Sequence, residues 1–346
     1  MRSWGKTAQI AFTYTGTIVG AGFATGQEIM RFFTRYGAAA TVTILIAGLL
    51  FIWLGTRMML LAGAIRAHSY EDLNRHLFGP KIGDWFNLFS LFMLFGITTV
   101  MLAGGGSLFN ENFRLSYQTG LLVTLLLAYL VVSRGLTAIV AVNSVVVPLM
   151  VLFCSLVVVA TIGSPQADNW LTLGSDYSAL SVWSAPLLYV SYNLVTAQAV
   201  LVPLGSAIRE RQTIIRGGIL GGVLITVMLI AGHFAMSSQM PGITQFEIPM
   251  SRLIAKLGSG VQLLFIGVIF GEIFTTYVAN IYGLTLQIRQ RTGWSGKPVI
   301  IAILVGTFLV GQIGFSKLLS TLYPLFGLFG LIWFVRMMGG RGRSAR

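Results

Sequence analysis

Residues 16–26 read Gly16-Thr17-Ile18-Val19-Gly20-Ala21-Gly22-Phe23-Ala24-Thr25-Gly26, and this stretch decides the fold. It lies inside the first apolar segment, residues 7–33, where a plain membrane-spanning helix would run unbroken. Its four glycines weaken a helix by about 1 kcal/mol each relative to alanine. In lipid, unwound backbone is tolerated only where it is buried in protein or lines a cavity. A glycine-broken span therefore points to amides and carbonyls freed to hold something. Close helix packing is the competing explanation, because Gly16-xxx-Gly20 and Gly22-xxx-Gly26 both have the small-xxx-small spacing.

Composition places the chain in a membrane. Charged residues make up 10%, against about 25% in soluble domains. The apolar fraction is 55% and the mean hydropathy is +0.81. A single cysteine, Cys154, excludes an intrachain disulfide and a cysteine metal cluster, and reads as a small buried hydrophobe. His68, His76 and His233 have no metal-ligand spacing. Arg2 and Lys6 before an apolar run imitate a signal peptide, but Gln9, Thr13, Tyr14 and Thr15 interrupt the run and it continues to Glu28.

Ten apolar segments are long enough, or nearly so, to be spans: 7–33, 38–65, 83–110, 118–133, 135–162, 179–208, 214–237, 259–287, 298–313 and 316–337. The fourth and ninth are short. Alternating the loops puts 17 Lys and Arg on one side and 6 on the other, so both termini are expected in the cytoplasm. The net charge of +13 then needs no nucleic acid, and the basic tail 336–346 anchors topology.

Each half opens with an interrupted span. In the second half Pro186 and Pro203 bracket Ser191, Tyr192, Asn193, Thr196 and Gln198. Each half also has a short amphipathic piece between its second and third spans, residues 70–79 and 246–258. An offset of 176 residues relates Glu71 to Glu247 and lays Gly16–Gly22 on Tyr192–Gln198. Five spans per half is odd, so the halves insert in opposite senses. The expected fold is all-α, one transmembrane domain over 1–346. It has ten helices in a five-plus-five inverted repeat, 7–163 and 179–337, with helices 1 and 6 interrupted.

A charge at mid-bilayer is costly, at about 2.5–3.5 kcal/mol on insertion scales. Glu272 stands midway along the eighth span. It reads as a proton or cation site, or else as a protonated or arginine-paired structural group. Glu28 is three residues before Arg31, the spacing of an ion pair at the outer end of the first span. Thr275 and Thr276 offer oxygen ligands to a small cation, or bond back to their own helix. Asn143, Ser144 and His233 read as interhelical hydrogen-bond formers, Gly104–Gly106 as a close helix crossing, and most aromatics as interfacial or lipid-facing.

Gly16–Glu28, Met101-Leu-Ala-Gly-Gly-Gly-Ser-Leu-Phe-Asn-Glu111 and Tyr70-Glu-Asp-Leu-Asn-Arg-His-Leu-Phe-Gly79 resemble the YkvI-like membrane proteins. That family is placed among the amino acid permeases of the amino acid–polyamine–cation superfamily, which share the LeuT-type fold. In sodium-coupled LeuT-type transporters the first break reads Gly-Asn-Ala-Val-Gly-Leu-Gly, and residues 16–22 are similar at the three glycines and the valine. The resemblance implies that the carbonyls of Gly16 and Val19 face a sodium ion, completed by Glu272, Thr275 and Thr276. It implies that the amides of Ala21 and Gly22 meet a substrate carboxylate, with Thr17, Gly20, Phe23, Tyr192, Asn193 and Thr196 around the solute. Phe23 replaces the Asn that a second sodium site needs, so one sodium is expected. The fifth span has no Lys at the ion position of some proton-coupled relatives, which favours sodium, while Glu272 leaves protons open.

The expectation is therefore a secondary transporter of the cytoplasmic membrane for an amino acid or similar zwitterion, with no cofactor beyond a sodium ion. Its partners would be the solute and the lipid bilayer, not nucleic acid. Segment 246–258 would be an outer lid. A non-transporting amino-acid sensor, which would need partner chains, is the alternative. An enzyme is disfavoured: the sequence holds no serine–histidine pair and no HExxH.

Overall fold

The computed structural model describes residues 2–67, 69–132 and 137–339, with side chains apart from those of 2, 3, 137–147 and 290. Asn143 and Ser144, and the topology residues Arg134, Arg341, Arg343 and Arg346, lie outside the described side chains, as does His68.

The first apolar segment forms three pieces: α1 (Arg2–Ile18), α2 (Ala21–Thr25) and α3 (Gln27–Phe32). The break falls at Val19–Gly20, where Gly20 is extended (φ −98°, ψ −165°). A second bend falls at Gly26, whose φ of +87° only glycine adopts readily. The second segment is α4 (Ala39–Leu50), a π turn (Phe51–Gly55) and α5 (Thr56–Ile65). The Tyr14 hydroxyl donates to the Phe51 carbonyl at 2.8 Å, so α1 caps the irregular turn.

Next come α6 (Tyr70–Phe78), α7 (Pro80–Phe113), α8 (Tyr117–Val132), α9 (Thr137–Ile162) and the single turn α10 (Asn169–Thr172). The rest is α11 (Ala179–Ala207), α12 (Arg211–Ser237), α13 (Pro249–Ala255), α14 (Ser259–Thr292), α15 (Gly296–Gly311) and α16 (Phe315–Gly339). Each expected apolar segment is mainly helical over its described residues. Among the described residues six helices are long and apolar enough to cross a membrane: 39–65, 80–113, 179–207, 211–237, 259–289 and 315–339. Apolar helices 117–132, 148–162 and 296–311 are shorter.

The outside of the bundle is apolar. Leu49, Trp85, Val159, Leu180 and Leu264 are each at least 67% exposed. A surface studded this way suits lipid rather than water. Of the 41 aromatic residues, 25 are half-buried or exposed and 16 are buried. Among the buried ones Tyr14, Phe23, Phe33, Phe51, Tyr189, Tyr277, Phe315, Tyr323, Phe326 and Trp333 fill the core.

Helix 6 of the expected scheme also differs. α11 runs unbroken through Pro186 and Pro203. Asn193 Nδ2 bonds to the Tyr189 carbonyl at 3.0 Å and Thr196 to the Asn193 carbonyl at 2.9 Å within the helix, while the Ser191 hydroxyl lies 3.0 Å from the Leu188 carbonyl and 2.7 Å from the Gly327 carbonyl of the last helix.

α7, about 50 Å long at 1.5 Å per residue, carries a short helix at each end. α6 is held by a capping box of Ser69 and Asp72 and rests on the N-terminal end of α7, where a Cβ at Gly83 would lie 2.8 Å from the Arg75 Cα. Asn74 Nδ2 donates to Asn87 Oδ1 at 2.9 Å, and Trp333 Nε1 donates to Asn74 Oδ1 at 3.1 Å. α13 and the chain before it rest on the other end. Gly104–Gly106, between them, form a close crossing as expected: a Cβ at Gly105 would be 2.5 Å from Thr124 Oγ1, and one at Gly106 would be 2.6 Å from the Tyr117 ring.

Candidate solute and cation site

The break at Val19–Gly20 is central, since α2 packs against α14 and α13. Within α2 the amides of Ala21, Gly22 and Phe23 begin a helix, and that of Ala24 already donates to the Gly20 carbonyl at 2.9 Å. Val19 N donates to the Thr15 carbonyl and Gly20 N to the Ile18 carbonyl. A Cβ at Gly20 would meet nothing within 4 Å, so packing does not account for that glycine. It does account for Gly26, which lies under Met250 and Pro249 of α13 and Met236 of α12.

Gly22 has a third explanation. A Cβ there would lie 2.1 Å from Glu28 Oε1 and 2.7 Å from Glu28 Cδ. The Glu28 carboxyl thus rests on the backbone of the break. This corrects the reading of Glu28 as an interfacial partner of Arg31. Glu28 is 4% exposed, and the ion pairs found among the described side chains are Arg75–Asp84 and Arg291–Glu71. Arg31 instead reaches the Ser320 carbonyl at 3.4 Å. The bend at Gly26 separates α3 from α2 and turns Glu28 inward.

Around Glu28 stands an aromatic cluster. The Tyr189 and Tyr192 hydroxyls neighbour its carboxyl. Phe32 packs on Tyr189 (5.3 Å between ring centres) and stacks on Tyr192 (5.8 Å). Tyr323 of α16 packs on Tyr192 at 4.8 Å, and Phe33 and Phe51 meet Tyr189 edge-on. Glu28 Oε2 and the Tyr189 and Tyr192 hydroxyls are buried without a partner at hydrogen-bonding geometry. Each such atom costs on the order of 1–3 kcal/mol.

Of the other expected solute residues, Tyr192 is in this cluster, while Asn193 and Thr196 are turned to their own helix. Phe23 is fully buried, and the ring that stacks on Tyr192 is that of Phe32. Thr17 bonds back to the Thr13 carbonyl at 2.7 Å.

Of the expected cation set, Glu272 is buried with no basic partner among the described side chains, and its Oε1 is unpartnered there. The Thr275 hydroxyl donates to the Gly271 carbonyl at 2.9 Å and lies 3.3 Å from that of Glu272. Thr276 is half-buried. α14 lies beside α2, but no hydrogen bond joins Gly16 or Val19 to Thr275 or Thr276. His233 does bond between elements, its Nδ1 lying 3.2 Å from Thr34 Oγ1 and 3.1 Å from Ser237 Oγ.

The two ends of the molecule differ. On the α13 side, Glu111 accepts from the amides of Glu247 (2.6 Å) and Ile248 (3.0 Å). Ser107 donates to Glu247, Ser251 to Asn112, and Gln27 Nε2 to the Phe246 carbonyl at 2.9 Å. On the α6 side a cavity of about 40 Å³ opens between α6, α7, α11 and α14, lined by Tyr70, Ser90, Thr196, Gln198 and Gln287. The Tyr70 hydroxyl, Gln198 Oε1 and Gln287 Oε1 are unpartnered there.

No family model matches the chain. Over 337 residues it is 38% identical to YkvI of Bacillus subtilis (strain 168), an uncharacterized membrane protein, covering 95% of this chain and 94% of that one. It is 25% identical over 325 residues to YyaD of the same organism, an uncharacterized protein, covering 93% of each. The structure is similar to that of MhsT in complex with L-phenylalanine, with a TM-score of 0.68 over 94% of this chain and 88% of that chain. At 16% identity this likeness is one of fold, the LeuT type. The identity to YkvI along nearly the whole of both chains settles descent: the chain belongs to the YkvI family of membrane proteins.

Proposed function

We propose that the chain is a secondary active transporter for an amino acid or similar small zwitterion, working by alternating access in the cytoplasmic membrane. The observation that carries this reading is the buried break at Val19–Gly20, set in a fold shared with a protein solved in complex with an amino acid. The solute would sit between the break and the ring cluster of α11, near the bilayer midplane. The two short helices at opposite ends of α7 support the five-plus-five inverted repeat, with repeats 7–163 and 179–337. Alternating loop charge supports cytoplasmic termini. On that orientation the α13 side is the outer face, bolted by Glu111, and the cavity beside Tyr70 and Gln287 is the start of the inner path.

Sodium coupling through Gly16, Val19, Thr275 and Thr276 rests on the motif of the break and on α14 lying beside it. Proton coupling is the second reading, and the buried, unpaired Glu272 favours it. Melting of the purified protein with each common amino acid, in sodium and in potassium at equal ionic strength, tests this. A ligand at 100 times its Kd adds about 2.7 kcal/mol. The expected result is stabilisation by one or a few amino acids, larger in sodium. Stabilisation by none would refute solute binding, and stabilisation indifferent to sodium but dependent on pH would move the coupling to Glu272.

A further inference from the structure

Three buried oxygens meet beside the break: Glu28 Oε2 and the hydroxyls of Tyr189 and Tyr192, neighbours of one another but joined by no hydrogen bond of standard geometry. Folded interiors rarely leave such atoms, and a cluster of three calls for a ligand. The motif of the break calls for a solute carboxylate at the amides of Ala21 and Gly22. Glu28 Oε1 already lies against Gly22, and two carboxylates side by side repel. A positive group on the solute offsets the buried carboxyl and avoids that repulsion.

The geometry points to Glu28, Tyr189 and Tyr192 as the site for the ammonium group of the solute, inside a cage of Phe32, Tyr189, Tyr192 and Tyr323. A primary ammonium has three N–H donors, one for each orphaned oxygen. The faces of the surrounding rings attract a cation in a dry site. A hard metal ion wants about six oxygen ligands, and this site offers half that number among carbon. The ligand class is a primary amine, free or as the amino group of an amino acid. Tyr323 comes from α16, so the cage joins three elements distant in sequence. The rings close over the carboxyl here, and entry requires the lid to part. The lid touches the two residues before Glu28: Gln27 bonds to the Phe246 carbonyl and Gly26 lies under Met250.

This inference rests on the solute-binding reading above and names the part of the solute that is recognised. Its test takes the common amino acid that most stabilises the wild type and compares it with its amine and its deaminated acid. For L-phenylalanine these are 2-phenylethylamine and 3-phenylpropanoate. The amino acid and the amine should stabilise the wild type, and the deaminated acid should not. In Glu28→Gln the affinity for the amine should fall by about thirtyfold or more, as when one partner of a buried charge pair is removed. Tyr192→Phe keeps the ring and deletes an unpartnered hydroxyl, so it should fold normally and lose about tenfold. It decides the matter if Glu28→Gln does not fold. Unchanged amine affinity in the variants, or equal binding of the deaminated acid by the wild type, would overturn the ammonium site and leave solute binding standing. Failure of every amino acid and amine to bind the wild type would overturn both.

Discussion

The Glu28 carboxyl fills the space that a side chain at Gly22 would take, with Oε1 2.1 Å from the position of a Cβ there. Glycine at 22 and glutamate at 28 are therefore one structural unit. The displaced atoms belong to the end of a flexible side chain, so Gly22→Ala should fold with less than about 1 kcal/mol lost. It should still lose solute binding, because the carboxyl is pushed from its place. Gly22→Leu should abolish binding outright. Melting curves with and without solute measure both, and normal binding by Gly22→Leu would remove the break from the site.

The segment proposed as the outer lid is held by Glu111, which accepts from two consecutive amides. Hydrogen bonds to a charged group are worth about 1.5–3 kcal/mol each. Glu111→Ala should let the lid open. Met250 is 3% exposed, and the single native cysteine, Cys154, is also buried. A Met250→Cys reporter should react with an impermeant maleimide at least about tenfold faster in the Glu111→Ala background. Equal rates would show that Glu111 does not hold the lid.

Thr275 and Thr276 separate structure from coupling. The Thr275 hydroxyl bonds only within its own helix, so Thr275→Ala with Thr276→Ala should cost less than about 1 kcal/mol of stability in potassium. The double variant should lose the extra stabilisation that sodium confers on the solute complex. An intact sodium effect would dismiss the threonines as ligands.

Much of this was legible in the sequence for a plain reason: lipid demands long apolar runs and penalises exposed backbone, so spans and their breaks leave marks. The break at Val19–Gly20 falls within the glycine stretch, and both short amphipathic pieces are helical where expected. What was not legible depended on direction. Arg31 stands one helical turn from Glu28 within α3, but the bend at Gly26 sets the direction of that helix, so that Glu28 meets the rings of α11 while Arg31 reaches the Ser320 carbonyl. Pro186 and Pro203 look like breaks, yet α11 runs through both as one helix. Phe32 and Tyr323 carried no local signal. They matter through contacts with Tyr192, which lies far from both in sequence.

Two glycines give a control on packing. A Cβ at Gly205 of α11 would lie 2.3 Å from the Met59 carbonyl of α5, and backbone cannot step aside. Gly205→Ala should destabilise by about 1–3 kcal/mol. Gly267 of α14 meets nothing within 4 Å, so Gly267→Ala should stabilise by about 0.4–1 kcal/mol. Melting temperatures moving together in the two variants would contradict the close α5–α11 crossing.

Transport itself is tested most directly in proteoliposomes loaded with potassium. The purified chain is supplied with the radiolabelled amino acid that most raises its melting temperature, under an inward sodium gradient. The prediction is accumulation above the outside concentration, collapsing when sodium is replaced by potassium and absent in Gly22→Leu. Stoichiometric binding with no accumulation under either a sodium or a proton gradient would contradict a transporter and point to an amino-acid sensor.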